Sequence, residues 1–177
     1  MQKNMNIITQ VHTAKSVGID TVPVTVETVI REGIGIHVMG LADKNLKESL
    51  LRTITALQSS RFKIPAKKIL INISPEDLRV KDEGYDVAIA VGIIASSKQK
   101  DVPLINECMI AGKLNLDGEI TGDCNVEEII ELATINNFKR CILPYAAAIR
   151  AKGKYEVDIY GVKKLTDVIN ILSGKLL

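Results

Sequence analysis

The segment 69–95 constrains the fold of this chain more than any other part of the sequence. Three of its first five residues are β-branched isoleucines, and a charged, proline-containing loop follows and ends at Gly84. An apolar helical pattern then begins at Tyr85. A buried strand, a polar loop, a glycine and a buried helix are typical of α/β proteins that hold a site at a helix N-terminus. No Ser, Thr or Cys lies between Ser74 and Ser96, so this site is predicted to lack a nucleophile of its own.

The composition limits the class of protein. The chain has 177 residues, 46% of them apolar and only 3% aromatic, which suits one domain over 1–177 with an aliphatic core. No apolar run approaches the ~20 residues of a membrane helix, and the polar N-terminus resembles no secretory signal. The three cysteines are odd in number and form no CxxC pair, which favours reduced thiols. We therefore expect a cytoplasmic protein.

Hydrophobic periodicity predicts alternating strands and helices in the order β-β-β-α-β-α-β-β-α-β-α-β-α. We expect Asn115–Glu119 to form a hairpin turn, and Asn125 to cap a helix with Glu128 reaching back to it. The order indicates a two-layer α/β (α+β) domain. Strands are expected at 7–13, 22–31, 36–39, 69–73, 109–114, 119–121, 141–143 and 157–160, and helices at 44–58, 85–95, from 126, from 145 and from 165. Eight residues of the central strand and the helix after it should be buried: Ile69, Ile71, Ile73, Val87, Ile89, Ala90, Ile93 and Ile94.

Motifs for cofactors are missing from the sequence. No GxxxxGK[ST] occurs, and the glycines at 33–37 fail the GxGxxG pattern and precede a strand. His12 and His37 lie in separate strand patterns without ligands at metal-binding spacing, so both are interpreted as structural. We predict no cofactor and no metal.

The loop before Gly84 is rich in charge. Its carboxylates suit a divalent cation by ligand type, but basic residues alternate with them and the spacing matches no EF-hand loop, so a salt-bridged loop is favoured. The residues concerned are Asp77, Arg79, Lys81, Asp82, Glu83 and Asp86.

Two neighbouring segments carry opposite charge. Residues 114–138 hold six acidic residues and no Lys or Arg, and residues 139–154 hold five basic residues and no acid. Such blocks suit a head-to-tail contact between subunits of a ring, a polyanion surface, or two solvated faces. Single-strand stacking has little aromatic support beyond Tyr145 and Tyr155. The basic residues are Lys139, Arg140, Arg150, Lys152 and Lys154.

Six sequence blocks resemble, nearly end to end, the N-terminal domain of the Mg-chelatase-like ATPases of the ComM (YifB) group. They are Gly18-Ile-Asp, Gly40-Leu-Ala-Asp with Glu48-Ser, Ile71-Asn-Ile-Ser-Pro-Glu-Asp-Leu-Arg, Tyr85-Asp-Val-Ala-Ile-Ala, Gly112-Lys-Leu-Asn-Leu-Asp-Gly and Asp158-Ile-Tyr-Gly-Val. The resemblance implies a Lon-protease-domain-like fold, a superfold shared with ribosomal proteins, with a left-handed βαβ crossover. It also implies an association with hexameric rings, with an AAA+ motor that this sequence does not contain, and with DNA branch migration during natural competence.

The same resemblance bears on catalysis. Lon proteases use a Ser at the start of the helix and a Lys near the start of a later helix. Here Gly84 falls at or beside the Ser position and Glu127 at about the Lys position. Ser74 and Lys81 are nearby substitutes, but they lie on the wrong side of the loop. We therefore expect no peptidase activity.

The sequence thus predicts a non-enzymatic, Lon-like assembly or interaction module, with a homo-oligomeric ring or an AAA+ motor as partner. A nucleic-acid-binding module that uses a basic surface, with DNA as partner, is the alternative, and a pseudo-protease that has lost its nucleophile is the third. Two sets of site residues follow. The degenerate Lon-like site comprises Asp77, Arg79, Lys81, Gly84, Asp86 and Glu127. The interface or nucleic-acid surface comprises Lys139, Arg140, Arg150, Lys152 and Lys154.

Overall fold

A computed structural model describes residues 7–17, 19–40, 43–75, 84–151, 153 and 155–175. The strands are β1 (Thr9–Val17), β2 (Asp20–Arg31), β3 (Ile36–Met39), β4 (Lys68–Ser74), β5 (Cys108–Ile110), β6 (Lys113–Leu114), β7 (Ile120–Thr121), β8 (Arg140–Pro144) and β9 (Asp158–Val162). The helices are α1 (Asp43–Ser59), α2 (Asp86–Ser96), α3 (Val126–Ile135), α4 (Tyr145–Ala148) and α5 (Leu165–Leu172), and a single 3₁₀ turn spans Ile105–Glu107.

A seven-stranded sheet organises the fold, in the order β3-β4-β2-β1-β5-β8-β9. The pairs β1–β2 and β2–β4 are antiparallel, and the four remaining pairs are parallel. β6 and β7 form a separate hairpin. The predicted α/β class is therefore confirmed, and the structure shows that the sheet is mostly parallel. None of the helices in the described part of the chain is long and apolar enough to cross a membrane.

Helices cover the two halves of the sheet differently, which corrects the two-layer prediction. One core joins α1, α2 and α5 to one face of the sheet. A second core joins α3 and α4 to the opposite face, where it contains Met109 from β5 together with Cys141 and Leu143 from β8. The C-terminal half is consequently three layers thick, and the two-layer expectation is wrong there.

The strand sequences explain this difference. β2 alternates between buried and partly exposed residues, as expected for an antiparallel strand with one solvated face. β5 is buried at all three positions, and β8 is buried at 141–144, as expected for parallel strands covered on both faces. The apolar runs at 108–111 and 141–144 were thus a signal for a third layer.

Several local predictions are confirmed. The eight expected core residues are each at most 1% exposed. The hairpin turn closes through Asn115 N–H to the Glu119 carbonyl and Gly118 N–H to the Asn115 carbonyl, at 2.9 and 3.0 Å. Asn125 caps α3, because its side chain accepts a hydrogen bond from the backbone N–H of Glu128.

Other local predictions are wrong. The expected strand at 109–114 is divided between β5 and β6, because the chain turns at Gly112, where φ is +142°. Glu128 was expected to reach back to Asn125. Its carboxylate instead accepts a hydrogen bond from the Thr21 hydroxyl, which connects α3 to β2. The first strand begins and ends later than predicted, at Thr9–Val17.

Candidate functional site

A pocket of about 240 Å³ lies where α2 begins. Gly84 and Tyr85, at the end of the loop that leads from β4, line one side of it. Gly112 is needed at its floor, since an added Cβ would lie 2.9 Å from Cγ2 of Ile120. The other lining residues come from β1, β2, the segments after β5 and β7, α3 and the end of β8: Ala14, Lys15, Ser16, Thr21, Ala111, Lys113, Gly122, Asp123, Cys124, Ile129 and Pro144.

Lys15 is the most unusual lining residue. It lies on β1 and is only 8% exposed, although lysine is rarely buried. Its ammonium nitrogen lies 4.3 Å from the centroid of the Tyr85 ring, a cation–π contact that offsets part of the cost of burial. The pair joins the C-terminal end of β1 to the start of α2.

Asp86 was predicted to belong to the site, but its carboxylate points into the protein. It is 0% exposed and accepts hydrogen bonds from the Ser49 hydroxyl, from Arg52 Nε at 3.1 Å and from Leu114 N–H at 3.4 Å. These partners belong to α1 and β6. Asp86 is therefore an internal tie between three elements, and it does not line the pocket.

Glu127, predicted at the position of the Lon lysine, is exposed at the start of α3. It lines a second, more open cavity of about 470 Å³. That cavity shares Ser16, Asp123 and Cys124 with the first pocket. Gly84 and Glu127 therefore line two cavities that share residues, and neither side chain supplies a nucleophile or an amine.

Sequence reasoning missed three side chains with nucleophilic atoms that line the pocket, namely Ser16, Thr21 and Cys124. The Thr21 hydroxyl donates to the Glu128 carboxylate. Burial raises the pKa of the Cys124 thiol, which reduces its thiolate fraction at neutral pH. These residues are distant from Gly84 in sequence, so no local sequence pattern predicts that they line the same pocket. The topology of the fold brings them together.

The other predicted loop residues, Asp77, Arg79 and Lys81, lie outside the described residues. Lys152 and Lys154 of the basic segment also lie outside them.

Basic residues at the start of β8 make intrachain ion pairs. Lys139 Nζ lies 3.1 Å from the Glu107 carboxylate, which Arg140 also contacts. The Arg140 and Lys139 hydrogen bonds lower the pKa of Glu107. The two basic residues thus serve the attachment of β8 to the 3₁₀ turn before β5.

Arg150 makes an ion pair that bears on the charge-block prediction. It contacts Asp123, which belongs to the acidic segment, and it lowers the pKa of that carboxyl through a hydrogen bond and its charge. Opposite charges of the two segments therefore meet within one chain at this point. A contact between subunits stays a prediction.

His12 lies on β1, away from the pocket. Its Nδ1 is 3.3 Å from the Thr25 hydroxyl, and its ring centroid is 4.9 Å from that of Phe138. Burial lowers the pKa of His12, which favours the neutral ring. Within the described ranges, no group of three or more His, Cys, Asp or Glu residues is arranged to hold a metal ion.

The described fold and pocket define a class, an α/β domain with a pocket at the start of a buried helix. Comparison with known proteins is more specific. The model of the family described as subunit ChlI of Mg-chelatase matches residues 26–147, more than half of the chain. The chain therefore belongs to this Mg-chelatase family, in the group of ComM and YifB.

Individual relatives agree with this assignment. Competence protein ComM of Haemophilus influenzae is 31% identical over 166 residues, which cover 93% of this chain and 32% of ComM. YifB of Escherichia coli is 36% identical over 113 residues, covering 63% and 22% of the two chains. Archaeal Lon protease of Methanocaldococcus jannaschii is 25% identical over 164 residues, covering 86% and 25%. The chain thus spans about a third or less of the length of these relatives.

Proposed function

We propose that this chain is a non-catalytic, Lon-like interaction module that acts together with an ATPase motor. The observation that carries the proposal is the glycine at the start of α2. Gly84, which the resemblance puts at or beside the position of the Lon serine, borders the pocket. Glu127, which it puts at about the position of the Lon lysine, lines the adjoining cavity. A glycine offers no nucleophile, and a carboxylate cannot lower the pKa of one as an ammonium group does.

The comparisons support the same proposal. ComM and the archaeal Lon protease each match this chain over a quarter to a third of their own length. We propose that the partner is the ATPase motor of this family, and that the fold is Lon-like. The left-handed crossover implied by that fold would fall on the parallel β3–α1–β4 unit.

Two measurements test the proposal. Incubation of the purified chain with unfolded protein and fluorogenic peptides should give no cleavage above a heat-denatured control. Mixing the chain with the separately expressed ATPase region of a ComM-type protein should give a complex in gel filtration and change the rate of ATP hydrolysis. Cleavage that disappears in a Ser16→Ala or Thr21→Val variant would contradict the non-catalytic role, and a lack of any complex would contradict the partner.

A groove on the basic side supports nucleic-acid binding as a second candidate function. Tyr145 and Tyr155, ten residues apart in sequence, line one groove of about 340 Å³ with Ile149. Lys163 Nζ lies 4.4 Å from the centroid of the Tyr145 ring. Aromatic faces beside cations are the usual elements of single-strand binding.

Fluorescence anisotropy with labelled single-stranded DNA tests this second function. Tyr145→Ala should weaken binding by about 1–3 kcal/mol if a base stacks on the ring. Tyr85→Phe is a matched control, because that ring is buried. Equal affinity of Tyr145→Ala and the unaltered chain would reject the groove.

A further inference from the structure

The outer face of the β3-β4-β2 half of the sheet belongs to neither hydrophobic core. Val29, Leu70 and Met39 point away from the core that α1, α2 and α5 form, and none of them packs in either cluster. Met39 is 50% exposed, and Ile8 at the edge of the same face is 57% exposed. With Glu27, Arg31 and Asn72 these residues line a shallow cavity of about 340 Å³.

The strand register fixes how this face is laid out. Val29 lies beside Leu70, which lies beside His37, and this row forms the centre. Glu27 lies beside Asn72 on one side of the centre, and Arg31 lies beside Lys68 on the other. Outward residues on one strand are about 6.8 Å apart, so Glu27 and Arg31 lie at nearly equal distances from Val29.

This arrangement is complementary to itself. We infer that the outer face binds a second copy of this chain, sheet against sheet, about a twofold axis that runs across the strands at Val29. Such an axis reverses the strand direction, so Glu27 of one copy faces Arg31 of the other. The rows of Val29, Leu70 and His37 from the two copies then meet between the two ion pairs. Aligned sheets pack about 10 Å apart, a separation that these long side chains span.

Hydrogen bonds within the chain already orient Glu27 for an ion pair with Arg31 of the second copy. Its carboxylate accepts hydrogen bonds from Gln10 Nε2 and Asn72 Nδ2, each at 3.0 Å. The two amides lower the pKa of Glu27 and fix the carboxylate on the sheet surface. Less side-chain entropy is then lost when a cation from the second copy arrives.

The size of the face sets the strength of association. Three strands and three rows of outward residues cover about 14 Å by 20 Å, or about 300 Å² on each copy. Standard interfaces bury about 800 Å² per partner, so association of the isolated chain should be weak, in the micromolar to millimolar range. Sedimentation equilibrium over that concentration range is the measurement.

Charge reversal gives the decisive variants. Glu27→Arg alone and Arg31→Glu alone should each raise the dissociation constant about tenfold, because both symmetry-related pairs become like-charged. The two single variants mixed together should associate about as well as the unaltered chain, since every pair across the axis is again opposite in charge. The double variant should also recover, and circular dichroism checks that each variant is folded.

Controls on other surfaces complete the experiment. Met39→Asp should abolish association. Leu51→Asp on α1 should leave it unchanged, because this exposed residue lies outside the outer face. A chain that stays monomeric at millimolar concentration overturns the inference. Association that Met39→Asp does not weaken overturns it as well. So does a mixture of the two single variants that associates no better than either variant alone.

Discussion

The two faces of β2 and β4 differ in burial, although successive residues of the same strands form them in turn. Inward side chains such as Val26, Ile71 and Ile73 are completely buried under α1 and α2. Outward side chains such as Val29, Leu70 and Asn72 stay partly exposed. Asn72 donates a hydrogen bond to the Glu27 carboxylate on the same face. The inner face therefore supplies the buried packing of the fold, and the outer face is the one that we infer to contact a second copy of the chain.

The largest effect on the free energy of unfolding is expected for the buried carboxylate of Asp86. Asp86→Ala removes the carboxylate that Arg52 and Ser49 contact, and it leaves a largely buried guanidinium without that partner. Breaking such a pair should reduce the free energy of unfolding by about 3–5 kcal/mol, as measured by urea denaturation. Asp123→Ala, which removes an exposed ion pair, is the matched control and should leave the free energy of unfolding almost unchanged, because solvent screens this pair.

Adjacent residues of β4 test the comparison directly. Ile71→Ala opens a cavity in the core and should cost about 2–5 kcal/mol. Leu70→Ala, on the outer face, removes a half-buried side chain and should cost clearly less. Equal losses in the free energy of unfolding would show that the outer face is as stabilising as the core, and would contradict the assigned division.

A third prediction concerns the close packing of Gly92 on α2 against Thr28 on the inner face. An added Cβ at Gly92 would lie 2.4 Å from the Thr28 hydroxyl, so Gly92→Ala should destabilise by about 1–3 kcal/mol despite the better helix propensity of alanine. The double variant with Thr28→Ala should recover much of the loss. A double-mutant cycle of thermal unfolding measures the coupling, and purely additive effects would reject the contact.

Some parts of this structure can be predicted from the sequence and others cannot. Strictly alternating strands such as β2 and the uniformly apolar α2 are predictable, because one periodicity determines each of them. The break between β5 and β6 was not, since it depends on the backbone conformation at Gly112. The inward turn of Asp86 was also missed, because its partners Ser49 and Arg52 come from a helix more than thirty residues earlier.

The pocket at the start of α2 shows the same limit. The resemblance to Lon proteases points to Gly84 and Glu127, which line two cavities that share residues. Lys15, Ser16 and Thr21 come from the first two strands and carry no motif. Long-range assembly of this kind cannot be recognised from local spacing.

The smallest expected effect concerns pH and the outer face. The Asn72 and Gln10 hydrogen bonds lower the pKa of Glu27 below its ordinary value of 4.5. Its contribution to stability is therefore present above pH 4.5 and is lost as the pH falls through the lower folded-state pKa. Glu27→Gln should slightly flatten the acid side of a profile of unfolding free energy against pH. An unchanged profile would remove Glu27 from the groups that govern acid stability.

The central proposal, that the pocket at the start of α2 performs no acyl transfer, is tested most directly by intact-mass spectrometry. The folded chain is incubated with a serine-directed phosphonylating reagent, and a serine protease serves as the positive control. We expect the mass of the chain to stay unchanged at neutral pH while the control is fully labelled. A stoichiometric adduct on Ser16, Thr21 or Ser74, lost after denaturation of the chain before labelling, would contradict the proposal.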